Sequence, residues 1–362
     1  MTNLRFFFLL PLLFAGSVRA QYVGIDQHGI RRLKELILHD GAVKQLYDSL
    51  QQVADQALQE DPNPIDTIRT EGLLQGDPRK TATWTSLKDM RKMYALALAY
   101  HVTKKKYYLD KTSVYLFAWA TTNSSRGDPI DDTNLDPAIE AYDMIKSSLV
   151  PAEKRKISSW LRRTAEAELN APFNRPGRAS SYNNWHSHRL KIVGEIAWTI
   201  GDTALEHYTI RELQTQIARN LNPDGSSADF VTRDALHYHL YDLEPLLTLA
   251  IVLQRATGID YYTWQAPTGS SIHQSVDWLL PYLDGRKTHA EFVNSTVEFD
   301  RQRAKNGEAS YKAGTMFQPT SGVPTLLLAA WFDNGLLDLA DRLTGAAGRY
   351  PAWQAVVDAL GR

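Results

Sequence analysis

The chain has 362 residues, of which 43% are hydrophobic and 22% are charged, and it contains no cysteine. This composition is typical of a globular protein, and it excludes a disordered chain, a disulfide scaffold, thiolate metal sites and a cysteine nucleophile. With 40 Lys and Arg against 41 Asp and Glu, the formal net charge is −1, so global charge gives no indication of nucleic-acid binding.

The first twenty residues have the pattern of an export signal. Arg5 precedes the apolar run FFFLLPLLFA at 6–15, and a short polar stretch ends at Ala20. The run is too short to span a bilayer comfortably, so we expect cleavage after Ala20 rather than the alternative, an N-terminal membrane anchor. We therefore predict a signal peptide at 1–20 and a single mature domain at 21–362. An exported chain without cysteines suggests a bacterial protein of the periplasm or the exterior.

Helical periodicity dominates the rest of the chain, and strand-like alternation is scarce. Neighbouring helices are joined by short turns, and a helix hairpin cannot bury its apolar face alone, so the hairpins must stack. We predict an all-α fold, an (α/α) toroid or incomplete barrel of helix hairpins. Irregular stretches at 61–86, 170–185 and 306–322 are expected to form a cleft wall or lid. The predicted helices are 30–59 with a break at Asp40-Gly41, 90–102, 107–121, 137–149, 151–169, 188–200, 204–221, 235–256, 271–283 and 324–343.

Two polar clusters are the candidates for chemistry. The first is SYNNWHSHR at 181–189, and the second is RDALHYHLYDLEP at 233–245. In the second cluster Arg233, His237 and Tyr241 are spaced four apart, so on a helix they share one face. Such a stripe is costly to bury unless it lines a polar cleft.

Metal binding is an alternative interpretation of the same clusters. The pairs His186/His188 and His237/His239 offer four imidazole nitrogens, which suit zinc. However, residues two apart on a helix point in different directions, so His237 and His239 are not expected to share an ion. We predict no metal and no other cofactor.

The segments NNWHSH at 183–188 and ALHYHLYDLEPL at 235–246, with GDPIDDTNL at 127–135, resemble the alginate lyase-like polysaccharide lyases. These include the family 5 alginate lyases and the related family 38 enzymes that act on alginate and glucuronan. The resemblance extends from about Trp84 to about Tyr311. It implies an (α/α) toroid and β-elimination on a 1,4-linked uronic-acid polymer, either alginate (polymannuronate) or β-1,4-glucuronan.

That reaction needs a group that neutralises the C5 carboxylate, a base for the C5 proton and an acid for the departing O4. The resemblance implies that an Asn and an Arg do the first task and that a His and a Tyr transfer the protons. Asn184 matches the family Asn, and Tyr241 matches the family Tyr.

The histidine and the arginine depart from the family 5 pattern. Trp185 intervenes before the histidines, so the family His is His186 or His188, of which we favour His188; His237 is a further candidate base. The family Arg would fall on Asp234, and Arg233 stands one position earlier. These shifts favour the family 38-like group.

An anionic polysaccharide is the predicted partner, and it requires local positive charge and sugar-stacking aromatic rings. We expect no nucleic-acid partner, no membrane contact of the mature form, and a monomer. The predicted substrate-binding residues are Trp185, His186, Arg189, Tyr238 and Arg301, with Arg303, Lys305, Trp84 and Tyr311 as further candidates.

Two other functions fit a helical toroid. A glycoside hydrolase needs two carboxylates beside the scissile bond; Asp131, Asp132, Asp234 and Glu244 are available, although no pair among them is indicated by the spacing. A non-catalytic periplasmic polysaccharide-binding protein would bind the polymer without turnover.

Overall fold

The computed structural model describes residues 21–345 and 350–361, so the predicted signal peptide lies outside the described residues. Helices make up most of this part of the chain, and none of the described helices is long and apolar enough to cross a membrane. The helices are α1 (Gln27–His39), α2 (Gly41–Ala57), α3 (Pro78–Ser86), α4 (Lys88–Thr103), α5 (Lys106–Thr122), α6 (Pro129–Asp132), α7 (Asp136–Ile145), α8 (Pro151–Asn170), α9 (Asn184–Ile200), α10 (Thr203–Asn220), α11 (Ala228–Arg233), α12 (Leu236–Thr257), α13 (Ile272–Leu283), α14 (Glu298–Lys305), α15 (Val323–Ala329), α16 (Leu336–Thr344) and α17 (Trp353–Gly361).

The helices form an (α/α) toroid, as the sequence predicts. Helices α4, α7, α9, α12 and α15 follow one another around an inner ring, each in contact with the next. Helices α5, α8, α10 and α16 pack on the outside of this ring. The last helix, α17, contacts α15 on one side and both α1 and α2 on the other, so it links the last hairpins to the first one.

Inner helices have neighbours on several sides, and this is why most of their residues are buried and why buried polar residues among them have partners, as Arg189 has in Glu168 of α8. In α4 the run ALALA at 95–99 is fully buried, and in α9 fifteen of the seventeen residues are buried. Gly194 lets α9 approach α12 closely, because a Cβ atom there would lie 2.6 Å from the Leu249 side chain. The close contact of α9 with α12 brings the two polar clusters together, since each cluster lies at the start of one of these helices.

Strands are confined to one short ribbon in the described residues. Strand β1 (Ala290–Glu291) pairs antiparallel with β2 (Thr315–Met316), with Ala290 opposite Met316. The ribbon and α14 lie in the segment between α13 and α15, next to the start of α12.

Two predictions about helices are wrong in detail. The expected helix at 324–343 is broken into α15 and α16 by a turn at 330–335, where the Asp333 side chain accepts a hydrogen bond from the Gly335 amide (2.9 Å). Helix α9 begins at Asn184 rather than His188, because the Asn183 side chain caps the helix there through the Trp185 amide (3.1 Å). The stretch 61–86, which was expected to be irregular, contains the helix α3.

Candidate active site

A cavity of about 360 Å³ lies at the amino-terminal ends of α9 and α12. Both polar clusters contribute to its wall, as do residues of all three stretches that the sequence marked as irregular. The lining residues are Thr70, Glu71, Lys80, Trp84, Ile130, Thr133, Asn134, Asn184, Trp185, Arg233, His237, Tyr238, Tyr241, Arg303 and Tyr311.

Asn184 is the first residue of α9, and a buried carboxylate fixes its side chain. The Asp229 carboxylate of α11 accepts hydrogen bonds from the Asn184 backbone amide (2.8 Å) and from the Asn184 side-chain amide. Burial raises the pKa of Asp229 to about 6. One N–H of the side-chain amide is thus used to orient the group, and an amide carries two.

A carboxylate from the β-ribbon caps the start of α12. Glu291 accepts hydrogen bonds from the backbone amides of Leu236 (2.8 Å) and His237 (3.1 Å), which have no partner inside the helix. Just before the helix, Asp234 has a positive φ of 47°, and its carbonyl accepts a hydrogen bond from the Phe292 amide (2.7 Å). The ribbon thereby fixes the first turn of α12.

His237 and Tyr241 lie one helical turn apart in α12 and face the same cavity. Their rings are parallel within 5°, with centroids 6.3 Å apart. The His237 ring is accessible from the cavity and is surrounded by the protein that forms the cavity walls. This surrounding protein removes water from the ring and, together with the positive charges of Arg303 and Arg233, lowers the pKa of His237 to about 4. Burial raises the pKa of Tyr241 well above its ordinary value of 10. At neutral pH the imidazole is therefore uncharged and the phenol keeps its proton.

Arg233 and Tyr238 form a second wall of the cavity. The Arg233 guanidinium lies over the Tyr238 ring, 3.8 Å from its centroid, and makes an ion pair with Asp300 at 2.5 Å. Asp300 is almost completely buried, so it holds Arg233 in place while other guanidinium N–H groups remain for a ligand.

Arg303 and Tyr311 close the cavity from the segment between α13 and α15. Arg303 donates to the Tyr238 hydroxyl (2.8 Å), pairs with Glu71 (3.2 Å) and lies 4.7 Å from the centroid of the Tyr311 ring. From the sequence, Arg303 and Tyr311 were only further candidates, and Glu71 was not predicted. Glu71 lies 232 residues before Arg303, so local spacing gives no sign that the two side chains meet.

His188 does not line the cavity. Its Nε2 is 3.0 Å from the Tyr241 carbonyl, which can only accept, so Nε2 carries the proton and Nδ1 accepts from the Thr133 hydroxyl at 2.9 Å. The ring also packs against the Tyr241 ring, with centroids 4.4 Å apart. His188, which the sequence favoured as the base, thus has both ring nitrogens engaged. Its ring packs against Tyr241 without lining the cavity.

Three of the residues predicted to bind substrate lie elsewhere. Arg189 is completely buried and pairs with Glu168 at 3.2 Å, and His186 is buried beside it, with Nδ1 3.3 Å from the Arg189 guanidinium. Arg301 is half exposed, pairs with Glu298 and does not line the cavity. Since residues two apart on a helix point in different directions, it is Arg303 that faces the cavity. The other two predicted residues, Trp185 and Tyr238, do line it.

The remaining histidine of the clusters, His239, is buried away from the cavity. Its two nitrogens lie 3.0 Å from the Ser227 hydroxyl and 3.1 Å from the Ser275 carbonyl. Among the described residues, no group of three or more His, Asp or Glu side chains is arranged to hold a metal ion. The four histidines of the metal hypothesis therefore do not converge on one point.

Four further residues line the cavity although none of them was predicted from the sequence: Thr70, Lys80, Thr133 and Asn134. Thr133 and Asn134 belong to the segment GDPIDDTNL, so the resemblance contained a signal for them. Lys80 lies in the stretch 61–86, which was expected to form a cleft wall, and it donates to the Leu73 carbonyl (3.0 Å).

A protein-family model described as "Alginate lyase" matches residues 41–289. A protein of Stenotrophomonas maltophilia (strain K279a) described as "Polysaccharide lyase" is 26% identical over 251 residues, which cover 60% of this chain and 71% of that protein.

Solved structures share the fold. An alginate lyase from Bacteroides ovatus superposes with a TM-score of 0.67 at 16% identity, covering 90% of this chain and 96% of that chain. Alginate lyase A1-III from Sphingomonas species A1 superposes with a TM-score of 0.58 at 21% identity, covering 74% of this chain and 80% of that chain.

Proposed function

Because the chain belongs to the alginate lyase family and is a polysaccharide lyase, we propose that it cleaves a 1,4-linked uronic-acid polymer by β-elimination, either the polymannuronate of alginate or β-1,4-glucuronan. The observation that carries this proposal is the convergence of Asn184, Arg233, His237 and Tyr241 on one cavity. An amide and a guanidinium stand there beside an uncharged imidazole and a protonated phenol, which are the groups that the elimination needs.

The C5 carboxylate of the uronate is held by Asn184 and Arg233. A carboxylate makes the neighbouring C5 proton only weakly acidic, because removal of that proton places further negative charge on the group. The second N–H of the Asn184 amide and the free N–H groups of Arg233 stabilise that charge as it develops. Arg303, which donates a hydrogen bond to the Tyr238 hydroxyl, is a second cation that lines the same cavity.

His237 removes the C5 proton and Tyr241 protonates the leaving oxygen. The electrons of the C5–H bond form the C4–C5 double bond, the C4–O4 bond breaks, and O4 takes the phenol proton. We assign the base to His237 rather than His188 because the lone pair of His188 is engaged by Thr133, whereas the lowered pKa of His237 leaves its imidazole unprotonated at neutral pH.

The two proposed polymers share the chemistry at the reacting carbons. Mannuronate and glucuronate have the same configuration at C4 and C5 and differ at C2, whereas guluronate is inverted at C5. Residues that act at C4 and C5 therefore accept mannuronate and glucuronate alike, and contacts at C2 decide between them.

The hydrolase alternative lacks a pair of carboxylates in this cavity. Of the described residues that line it, Glu71 alone carries a carboxyl group. Asp131 and Glu244, two of the acids that the sequence offered, are engaged by Thr70 and Thr325. A hydrolase needs two carboxylates beside the bond.

We further propose that residues 1–20 are a cleaved signal peptide and that the mature chain acts as a monomer in the bacterial periplasm or outside the cell. The apolar run at 6–15 and the small residue Ala20 support the signal peptide.

The test is ultraviolet absorbance of the protein mixed separately with polymannuronate, polyguluronate and glucuronan, since only elimination produces a conjugated double bond. We expect absorbance to rise with polymannuronate or glucuronan. New reducing ends without absorbance would contradict the elimination, and absorbance with polyguluronate alone would contradict the substrate.

Tyr241→Phe is the matched variant, because it removes one oxygen atom from the proposed acid. We expect kcat to fall by about 10²- to 10⁴-fold with little change in binding, as for the loss of a general acid. Retained activity would contradict the role of Tyr241.

A further inference from the structure

Three exposed side chains, those of Trp84, Lys88 and Arg91, extend from the wall of the active-site cavity along one side of α3 and α4. Helices α3 and α4 follow one another directly, separated only by Leu87, whose backbone angles are helical (φ −64°, ψ −12°). Lys80, Trp84, Lys88 and Arg91 lie four, four and three residues apart, so they share a face that extends for about 16 Å along the axis. Lys80 and Trp84 line the active-site cavity, and Lys88 and Arg91 lie beyond it.

Two further cavities adjoin the active-site cavity along this stripe. One of about 490 Å³ is lined by Lys80, Trp84 and Lys88, and one of about 590 Å³ is lined by Trp84, Lys88 and Arg91. The second also shares Thr133 and Asn134 with the active-site cavity. Since neighbouring cavities share walls, they form one open groove that leads away from the catalytic groups.

The chemistry of the stripe fits an acidic sugar polymer. The Trp84 side chain is 50% exposed although it is large and apolar, and Lys88 and Arg91 are both exposed. Within the described residues neither of these two cations forms an ion pair of 4 Å or less with a carboxylate. An exposed indole beside two cations that form no ion pair offers a stacking surface next to partners for carboxylates.

Each acidic residue that lines these two cavities is paired, hydrogen-bonded or protonated. Asp136 pairs with Lys191, and the Glu308 side chain accepts hydrogen bonds from the Gln75 amide (3.1 Å) and the Asn306 side chain (3.1 Å). Burial raises the pKa of Glu140 to about 8, so this carboxyl group is mostly protonated at neutral pH.

We propose that Lys88 and Arg91, which continue from Trp84 at the edge of the active-site cavity, form an extended binding path for the part of the polymer outside that cavity. The indole stacks against a sugar ring, and the two cations contact uronate carboxylates several sugar units from the scissile bond. This inference rests on the proposed function, because it assumes a polyuronate substrate. It predicts that long chains bind better than short ones.

The test compares the wild type with Lys88→Gln/Arg91→Gln on oligouronates of increasing length and on the polymer. The control is Lys154→Gln/Arg155→Gln, which removes the same two charges from the exposed face of α8. On the polymer we expect KM of the Lys88/Arg91 variant to rise by about 3- to 10-fold with kcat unchanged, the effect of two exposed ion pairs.

On the shortest oligouronate that the enzyme cleaves, we expect the variant and the wild type to have the same kcat/KM. At about 1 M salt the difference on the polymer should disappear, since the screening length falls to about 3 Å. Two results for the Lys88/Arg91 variant would overturn the binding path: a KM on the polymer equal to that of the wild type, or the same relative loss of kcat/KM at every chain length.

A binding measurement separates this inference from the proposed function. Retardation in gels that contain the polymer needs no turnover, and it is measured for each variant in the Tyr241→Phe background. Absence of unsaturated product from the wild type would contradict the proposed function alone. Equal retardation of the Lys88/Arg91 variant and its α8 control would contradict the binding path alone.

Discussion

At the scale of single residues, the sequence offered three histidines as the base, and their hydrogen bonds distinguish them. His186 and His188 are buried, and each has a nitrogen committed to a neighbouring donor. His237 is open to the cavity beside Tyr241. We therefore expect His237→Ala to lower kcat by about 10²- to 10⁴-fold, the contribution of a general base, with the melting temperature unchanged.

His188→Ala is the contrasting variant. It leaves the Tyr241 carbonyl and the Thr133 hydroxyl without their buried partner, so we expect it to lower the melting temperature as well as the activity. If His188→Ala abolished activity at an unchanged melting temperature while His237→Ala remained active, the assignment of the base would be reversed.

The pH dependence of kcat/KM follows from the lowered pKa of His237. A general base must be unprotonated, so activity is present above its pKa and is lost as pH falls through it. Since that pKa is about 4, we expect the acidic limb of the profile to have its midpoint near pH 4 and activity to be flat from about pH 5 to 8. A midpoint at the ordinary imidazole value of about 6.5 would contradict the assignment.

Asp229 is a positioning residue, because it acts through Asn184. Asp229→Asn keeps the shape of the side chain and replaces one of the two acceptor oxygens that hold the Asn184 amides. We expect kcat/KM to fall by about 10- to 100-fold, as for other misplaced catalytic groups, and the melting temperature to fall only slightly, because one buried N–H of Asn184 loses its acceptor. Equal losses of stability and activity would indicate a purely structural role.

At the scale of elements, the start of α12 depends on a residue more than fifty positions away. Glu291 accepts from the Leu236 and His237 amides, so the β-ribbon supplies the cap that the local sequence lacks at Ala235. The cap also fixes the helical turn that carries His237.

We expect Glu291→Ala to lower the free energy of unfolding by about 1 kcal/mol, the value of a lost helix cap, and to lower kcat because the first turn of α12 frays. Denaturant unfolding and steady-state kinetics measure the two effects. Glu291→Gln keeps one acceptor oxygen and should recover part of both. A variant that loses stability but keeps full kcat would show that this turn does not position His237.

At the scale of the whole molecule, the inner ring encloses carboxyl groups whose ionisation opposes folding. Glu140, on the inner helix α7, has its pKa raised to about 8 by burial and by Asp136. The folded state therefore binds this proton more tightly than the unfolded chain, in which the pKa is about 4.3. The contribution of this proton to the free energy of unfolding is complete below about pH 4 and is lost as pH rises to about 8.

We expect the melting temperature to decline less between pH 5 and 8 in Glu140→Gln than in the wild type, because the amide has no proton to lose. Glu166→Gln, on the exposed face of α8, is the control and should follow the wild type. Parallel curves for Glu140→Gln and the wild type would contradict the raised pKa of Glu140.

The amino-acid sequence alone is sufficient to predict most of the helices and the toroid, because both depend on local periodicity and on the need of each hairpin to bury one face. It also located the two polar clusters, since Arg233, His237 and Tyr241 share a helix face at a spacing of four. Asn184 and Tyr241 were assigned through the resemblance, and both line the cavity. The single domain, the export signal and the monomeric state remain predictions.

Which side chains of the two clusters reach the cavity depends on the tertiary structure. Arg189 and His188 carry reactive groups in the right segment, yet Glu168 and Thr133 engage them in the interior. Arg303 and Glu71 lie far apart in the chain and meet across the cavity. The direction of a polar side chain depends on its partners, and those partners come from helices distant in sequence, so local spacing does not contain this information.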